Sequence, residues 1–414
     1  MKRRVVVTGM GTVNPAGNDV PAFWKSLKEG KTGIGANTKF DTEQFACRVT
    51  GEVKDFDSTL YVDRKEVRKM AEFTIYAVAS AVQAARDARF IEGSFDPHRV
   101  GVCLGNGIGG FEVIEENMMQ LFKRGPSGIA PMTIPKMISN EGPANVAIKL
   151  GLHGPCSSVS TACASATDAI GQSLDMIRSG RVDCMFTGGM EAAITPFSIG
   201  GFSRIQALST KFNDTPEVAC RPFDKDRDGF IMGEGAGVII LEELEHAKKR
   251  NAPIYAELVG YGATCDAGHL TSPDPDGKGA AASMRLALED AGLNPEDIDY
   301  INAHGTSTPT NDPIETKAIK LAFGTHAYKL KVSSTKAITA HMVGAAGGVE
   351  AIVAVLAIQN QFLPGTLTLE NPEEGCDLDY LPGVGVDARV NAVLSDSLGF
   401  GGHNASIIFK KYED

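Results

Sequence analysis

No two of this chain's eight cysteines, at positions 47, 103, 156, 163, 184, 220, 265 and 376, stand in a C-x-x-C spacing. In a chain of 414 residues that scatter speaks against a disulfide framework and against a zinc site. A basic excess is missing too: Lys and Arg number 40 against 51 Asp and Glu, for a formal charge of −11. That balance disfavours a general nucleic-acid or anionic-membrane surface, so an acidic partner needs a local basic patch. Apolar runs are short. Ala351 to Ile358 is among the longest, well below the ~18 residues of a membrane span. Met1-Lys2-Arg3-Arg4 opens like a signal peptide, but only Val5, Val6 and Val7 follow before Thr8 and Gly9. Without an h-region, the expectation is a mature, cytoplasmic chain.

What is present is ordinary for a globular protein: 43% hydrophobic and 22% charged residues. The length suggests two to three domains or one large duplicated fold. Glycine is abundant, 46 residues, which favours tight turns and close backbone approaches.

Strand and helix patterns alternate. Arg4–Thr8 and Arg99–Leu104 read as buried strands, each stopped by glycines; Glu66–Phe90 and Ala164–Arg178 read as helices. Cys184–Phe186 is a strand stopped at Gly188-Gly189, and Gly235–Leu244 is another strand. After Asn251-Ala252-Pro253 the pattern restarts: strand Tyr255–Val259, helix Gly279–Ala291, strands Tyr300–Ala303 and Leu330–Val332, helix Ala345–Gln359. Two strands joined by a glycine-rich turn close the chain, Ala392–Gly402 and Ala405–Lys410. This alternation predicts an α/β fold with helices covering buried sheets. Thr161-Ala162-Cys163 and Thr339-Ala340-His341 each precede a small-residue helix. The echo suggests two similar halves, 1–252 and 253–414, presenting Cys163 and His341 at equivalent helix N-termini.

Three motifs fail on their surroundings. Gly105-Asn106-Gly107-Ile108-Gly109-Gly110 fits G-x-G-x-x-G, but prolines 126, 131 and 135 follow its helix where a second strand ending in Asp or Glu belongs. Asp224 to Gly229 imitates half a calcium loop, yet loop position 12 is Gly235 rather than Glu. Ser333-Ser334-Thr335-Lys336 matches S-x-x-K, while the only K-T-G, Lys31-Thr32-Gly33, lies on the wrong side of it.

The chemistry-bearing segments are others. Cys163 sits where an extended run meets a helix of small residues, a place where unpaired N–H groups stabilise thiolate. His304-Gly305-Thr306-Ser307-Thr308 follows a buried strand, where open α/β sheets keep their sites. Lys336 and His341 form a second unit, and Gly399-Phe400-Gly401-Gly402 is a turn able to aim N–H groups into a cavity. An inert buried cysteine, a satisfied core histidine and a plain hairpin turn are the alternatives these segments leave open.

Together the blocks Thr161–Ala166, His304–Thr308, Lys336 with His341 and Gly344-Ala345-Ala346-Gly347, and Gly399–Gly402 resemble the β-ketoacyl-[acyl-carrier-protein] synthases, in particular the type II elongating enzymes. Arg221-Pro222-Phe223-Asp224 and Gly233–Gly237 resemble that family as well. The resemblance spans about Arg4 to Phe409. It implies a thiolase-like fold, in which two βαβ-type halves make a five-layer α-β-α-β-α sandwich and one ketosynthase domain, in a homodimer. It implies decarboxylative condensation of malonyl-carrier with an acyl group on Cys163, assisted by His304 and His341. Lys336 would fix His341. The Cys163 and Phe400 amides would hold the oxyanion, with Gly401 in the same gate turn. Thr306, Thr308 and Thr271 would bind substrate, and Ile108, Phe202 and Phe400 would shape the acyl pocket. No metal or redox cofactor is implied. The partner would be acyl carrier protein, and Lys65, Arg68 and Lys69, read as one helix face with Arg64, are its expected docking patch. A polyketide ketosynthase is the rival enzyme, and a non-catalytic chain-length partner is the rival from another class. The last block departs from many relatives at Asp396, Leu398 and His403, where they carry Asn, Phe and Thr.

Overall fold

The computed structural model describes residues 2–90 and 95–414; Met1, part of the signal-peptide reading, lies outside them. Ten strands form its main sheet: β1 (Val5–Val13), β2 (Val100–Gly105), β3 (Cys156–Val159), β4 (Cys184–Ala192), β5 (Glu234–Glu243), β6 (Ala256–Cys265), β7 (Tyr300–Asn302), β8 (Lys331–Ser333), β9 (Ala392–Gly399) and β10 (His403–Lys410). Six helices pack on it: α1 (Glu72–Asp87), α2 (Glu141–Leu150), α3 (Ser165–Arg178), α4 (Lys278–Ala291), α5 (Asn311–Phe323) and α6 (Ala346–Asn360).

The strand order is β3-β2-β4-β5-β1 followed by β6-β10-β9-β7-β8. Each group of five starts with its first strand, runs antiparallel to its fifth and fourth, then parallel to its second and third. One topology is thus used twice. The two groups join through a short antiparallel contact, Val6 with Glu257 and Val7 with Ala256. Helices α1 and α2 cover the outer face of the first group, α4 and α5 that of the second, and α3 and α6 lie between. This is a five-layer α/β sandwich. Among the described residues, Val343–Asn360 alone combines the length and apolarity of a membrane span, and 89% of it is buried in this middle layer.

Glycines explain where the strands run past their expected ends. β4 continues through Gly188-Gly189 to Ala192, and β6 through Gly260 and Gly262 to Cys265. A Cβ at Gly260 would stand 2.2 Å from the Ala287 carbonyl oxygen, and one at Gly262 2.1 Å from that of Ser283. These glycines let α4 lie directly on the strand; they do not end it. The expected helix over 66–90 is two pieces, Arg64–Val67 and α1, with Ala71 extended between them (φ −79°, ψ 164°). Arg68 and Lys69 therefore lie beyond the short helix. Arg64, Lys65, Arg68 and Lys69 do not share one helix face, although all four are exposed.

The expected equivalence of Cys163 and His341 also shifts. The helical turns that introduce α3 and α6 begin at Ala162 and Val343, with φ of 51° and 44°. Aligned on these turns, Cys163 corresponds to Gly344, and His341 stands three residues upstream.

Candidate active site

Cys163 lies in the turn Ala162–Ala164 that opens α3. Ala162 holds a left-handed φ of 51°, rare for a residue with a Cβ, and the turn backs onto the end of β9, where a Cβ at Gly399 would stand 2.7 Å from the Thr161 carbonyl oxygen. His304 follows β7. Its backbone is fixed by Glu315 of α5, which accepts the N–H groups of His304 at 2.7 Å and Gly305 at 2.8 Å. His341 follows the short helix Lys336–Thr339, with its N–H bonded to the Ile231 carbonyl at 2.8 Å. Three backbone segments, far apart in the chain, meet at one point.

That point is compact. His341 Nε2 lies 3.0 Å from Cys163 Sγ. The rings of His304 and His341 are 5.3 Å apart and nearly perpendicular, at 88°. One ligand-type atom from each of the three residues falls within 4.8 Å of the others. Phe230 meets the edge of the His341 ring at 5.2 Å. Lys336 is fully buried and pairs with the equally buried Glu350 of α6.

Electrostatics set the resting protonation. Burial pushes the Cys163 thiol up to about 12, against the pull of the Lys336 ammonium and of the Phe400 and Cys163 backbone N–H groups directed at the sulfur. Helix placement alone does not make the resting group a thiolate. Burial, and then Lys336, hold both imidazoles well below the usual histidine range. His304 and His341 are therefore neutral at physiological pH, and the Nδ1 atom of each is buried without a partner.

The cluster forms the floor of a cavity of about 530 Å³. Ile108, Phe202, Thr271, Thr306, Thr308 and Phe400 all line it. Phe202 and Phe400 face each other at 6.4 Å, and the hydroxyls of Thr306 and Thr308 are 3.1 Å apart. Leu398 lines it as well. Gly401 does not: its N–H donates to the Leu270 carbonyl at 2.7 Å, so it is spent rather than free for an oxyanion. Lys65, Arg68 and Lys69 stand apart from the cavity lining, with Lys69 paired to Glu66 at 2.8 Å.

Sequence reasoning missed Glu315, Glu350 and Phe230. Glu350 carried a signal, as the sole acid within the apolar stretch Val349–Ile358. The rejected motifs also find structural uses. The Gly107 amide donates to buried Glu191 at 2.8 Å, and Glu191 also takes the Gly344 amide at 3.0 Å, tying the glycine loop to the turn before α6. Asp224 accepts the backbone N–H groups of Glu370, Asn371 and Asp226 and the Arg221 guanidinium. Ser333 donates to the Pro364 carbonyl, not towards Lys336.

Comparison with known proteins agrees with this architecture. The family model "Beta-ketoacyl synthase, N-terminal domain" matches residues 2–247, and "Beta-ketoacyl synthase, C-terminal domain" matches 255–370. The chain is 51% identical over 412 residues to a 3-oxoacyl-[acyl-carrier-protein] synthase 2 of Synechocystis sp., covering 100% of this chain and 99% of that one. The protein of that name from Coxiella burnetii is 49% identical over 413 residues, with full coverage of both. Among solved structures, a type II polyketide ketosynthase in complex with its acyl-carrier protein and bound to the hexaketide superposes with a TM-score of 0.93 at 35% identity, covering 100% of both chains. A β-ketoacyl synthase from Burkholderia phymatum gives 0.92 at 34% identity, again over 100% of both chains.

Proposed function

Because the chain belongs to the β-ketoacyl synthase family, the condensing acyltransferases of fatty acid elongation, we propose that Cys163, His304 and His341 carry out decarboxylative condensation of malonyl-carrier with an acyl group held on Cys163. The carrying observation is the convergence of that sulfur and both imidazoles within 4.8 Å on the floor of one cavity.

In the first half-reaction, Cys163 Sγ attacks the acyl thioester. The sulfur–carbon bond to the carrier breaks, and the carrier thiol leaves with a proton. A thiol raised by burial needs a base within reach, and His341 Nε2, neutral and in contact with Sγ, is placed to accept the proton. The amides of Cys163 and Phe400, directed at the sulfur, hold the oxyanion that forms on the adjacent carbonyl. Malonyl-carrier then enters. His304 and His341 are neutral, and their partnerless Nδ1 atoms leave both tautomers open; once the carrier thiol has left with the proton, the tautomer with N–H at Nε2 donates from each ring to the thioester oxygen. Those bonds strengthen as the carboxylate leaves as CO2 and the enolate develops, which lowers the barrier. The enolate carbon attacks the acyl carbonyl, a carbon–carbon bond forms, and Cys163 sulfur departs. Lys336, neutralised by Glu350, fixes the field around both rings.

Thr306, Thr308 and Thr271 hydrogen-bond the pantetheine arm, while Ile108 and Phe202 bound the acyl pocket with Phe400 as its gate. Residues 1–252 and 253–414 act as the two halves of one ketosynthase domain, working in the cytoplasm. The partner is acyl carrier protein, docking at the exposed Lys65, Arg68 and Lys69. A homodimer is supported by the sheet edge at β3, which has no strand partner among the described residues, and by apolar side chains exposed on and after the helix Phe111–Arg124, among them Met119, Phe122 and Ile134. The higher identity to fatty acid enzymes than to polyketide ketosynthases favours the first class over the second.

Intact-mass measurement tests the reading. One acyl group should appear on wild-type protein and on His304→Ala after incubation with acyl-carrier, and none on Cys163→Ala; acylation of Cys163→Ala would overturn it.

A further inference from the structure

Beneath the nucleophile turn lies a carboxylate that the condensation chemistry does not touch. Asp168 stands on the first turn of α3 and is buried. One of its oxygens accepts the Thr161 hydroxyl at 2.6 Å, and the other accepts the Tyr261 hydroxyl at 2.8 Å. Tyr261 comes from the second half of the chain: it sits on β6, paired with Ile407 of β10. Its ring lies against the backbone of α3 at Gly171, where a Cβ would stand 2.3 Å from a ring carbon. Gly171 therefore admits the ring and lets its hydroxyl reach Asp168, three residues earlier on the same helix face.

Thr161 is the residue that enters the strained turn. Its N–H donates to the Ser165 hydroxyl at 2.9 Å, its carbonyl accepts the Ala164 N–H at 3.0 Å, and its hydroxyl is the one held by Asp168. The Ser165 hydroxyl donates in its turn to the Ala162 carbonyl at 2.6 Å. Every polar group of Thr161 thus serves the turn in which Ala162 takes its φ of 51° and Cys163 follows. A left-handed residue with a Cβ persists only where its surroundings over-determine it. The bonds to Ser165 and Ala164 lie within the turn and the start of α3, whereas the bond through Asp168 to Tyr261 ties the turn to a strand of the second half.

We propose that Asp168, braced by Tyr261, is a positioning residue for the nucleophile: it anchors Thr161 to β6 and so keeps Cys163 Sγ on His341 Nε2. The proposal rests on the role given above to Cys163. A sulfur displaced by about 1 Å loses its contact with the base, and a misplacement of that size costs up to about 10²-fold in rate. Decarboxylation is different. It uses the two imidazoles, which are carried by other segments, those that follow β7 and the helix Lys336–Thr339.

Asp168→Ala tests this beside Asp168→Asn, whose amide keeps an acceptor oxygen for one hydroxyl and a donor for the other. Two rates are followed: appearance of the acyl group on Cys163 in a single turnover, by intact mass, and CO2 release from malonyl-carrier. Asp168→Ala should lose about 10- to 10²-fold in acylation and keep decarboxylation within about twofold. Asp168→Asn should recover most of the loss, and Tyr261→Phe, which removes the brace alone, should fall between Asp168→Ala and wild type. Equal losses in both rates, or acylation of Asp168→Ala at the wild-type rate, would overturn the proposal. Amide hydrogen exchange provides a second readout that needs no catalysis. The peptide carrying residues 162–164 should exchange about tenfold faster or more in Asp168→Ala, while the peptide carrying His304 keeps its wild-type rate; unchanged exchange of the turn would overturn the proposal. Should Asp168→Ala not fold, Tyr261→Phe carries both assays. Were the wild type to take no acyl group on Cys163, the functional reading would fail, and the exchange profiles would still decide whether Asp168 positions the turn.

Discussion

His341 Nε2 touches Cys163 Sγ at 3.0 Å although 178 residues separate them in the chain. The contact gives a thiol that burial pushes up to about 12 a neutral base at hand. Its reactivity follows: alkylation of Cys163 by iodoacetamide should keep climbing with pH beyond pH 9. Cys156 and Cys265 are exposed, so the rate must be read at the Cys163 peptide by mass spectrometry. A plateau reached by pH 7 would mean a resting thiolate.

Both imidazoles are held neutral by burial and by Lys336. A base depressed on folding contributes stability above its unfolded value that is lost as pH falls towards the folded one. Below the ordinary histidine value of 6.5, the wild type should lose melting temperature faster than His304→Ala/His341→Ala. Parallel curves from pH 7 to 5 would contradict this.

Lys336 and Glu350 are buried together. Removing one partner strands the other charge, at a cost of about 3–5 kcal/mol. Lys336→Met should therefore destabilise more than Lys336→Met/Glu350→Leu, as read from chemical denaturation; a double variant at least as unstable as the single one would remove the pair's role.

Carrier docking can be separated from chemistry. Charge reversal at Lys65 and Lys69 should raise KM for carrier-bound substrates and spare small thioester analogues, with the effect shrinking at high salt. Equal losses on both substrates would place docking elsewhere.

Ile108 lines the cavity that ends at Cys163. Replacing it with Phe should shorten the products, seen in the acyl-chain profile of the carrier-bound pool, and an unchanged profile would take Ile108 out of the pocket's end wall.

Periodicity and β-branched runs made the alternating strands and helices legible, down to the restart after residue 253. Glycine misled. Gly188-Gly189 reads as a strand end, and the strand expected over Tyr255–Val259 stops short of Gly260 and Gly262, because glycine breaks local pairing preferences; here Gly188, Gly260 and Gly262 admit a helix or a neighbouring backbone at contact distance, a tertiary cause that no local window contains. The Thr-Ala echo pointed to a real duplication but gave its register three residues off. Letter matches do not report where a turn begins, whereas the left-handed φ of Ala162 and Val343 does. Cys163 and His341 could be picked out because each stands ahead of a helix of small residues, His304 because it stands with Gly305 at the end of a buried strand, and Lys336 because it lies in a short polar loop that the family resemblance joins to His341. Glu315 could not, because a carboxylate on a helix shows its use only when the amides it accepts are seen.

The central claim is that two neutral imidazoles, independently of the sulfur, stabilise the enolate formed when the malonyl group loses its carboxylate. CO2 release from malonyl-carrier by single variants measures this most directly. Cys163→Ala should still decarboxylate, while His304→Ala and His341→Ala should each lose about 10²–10³-fold, the usual cost of one oxyanion donor. Decarboxylation at the wild-type rate in either histidine variant would contradict the account.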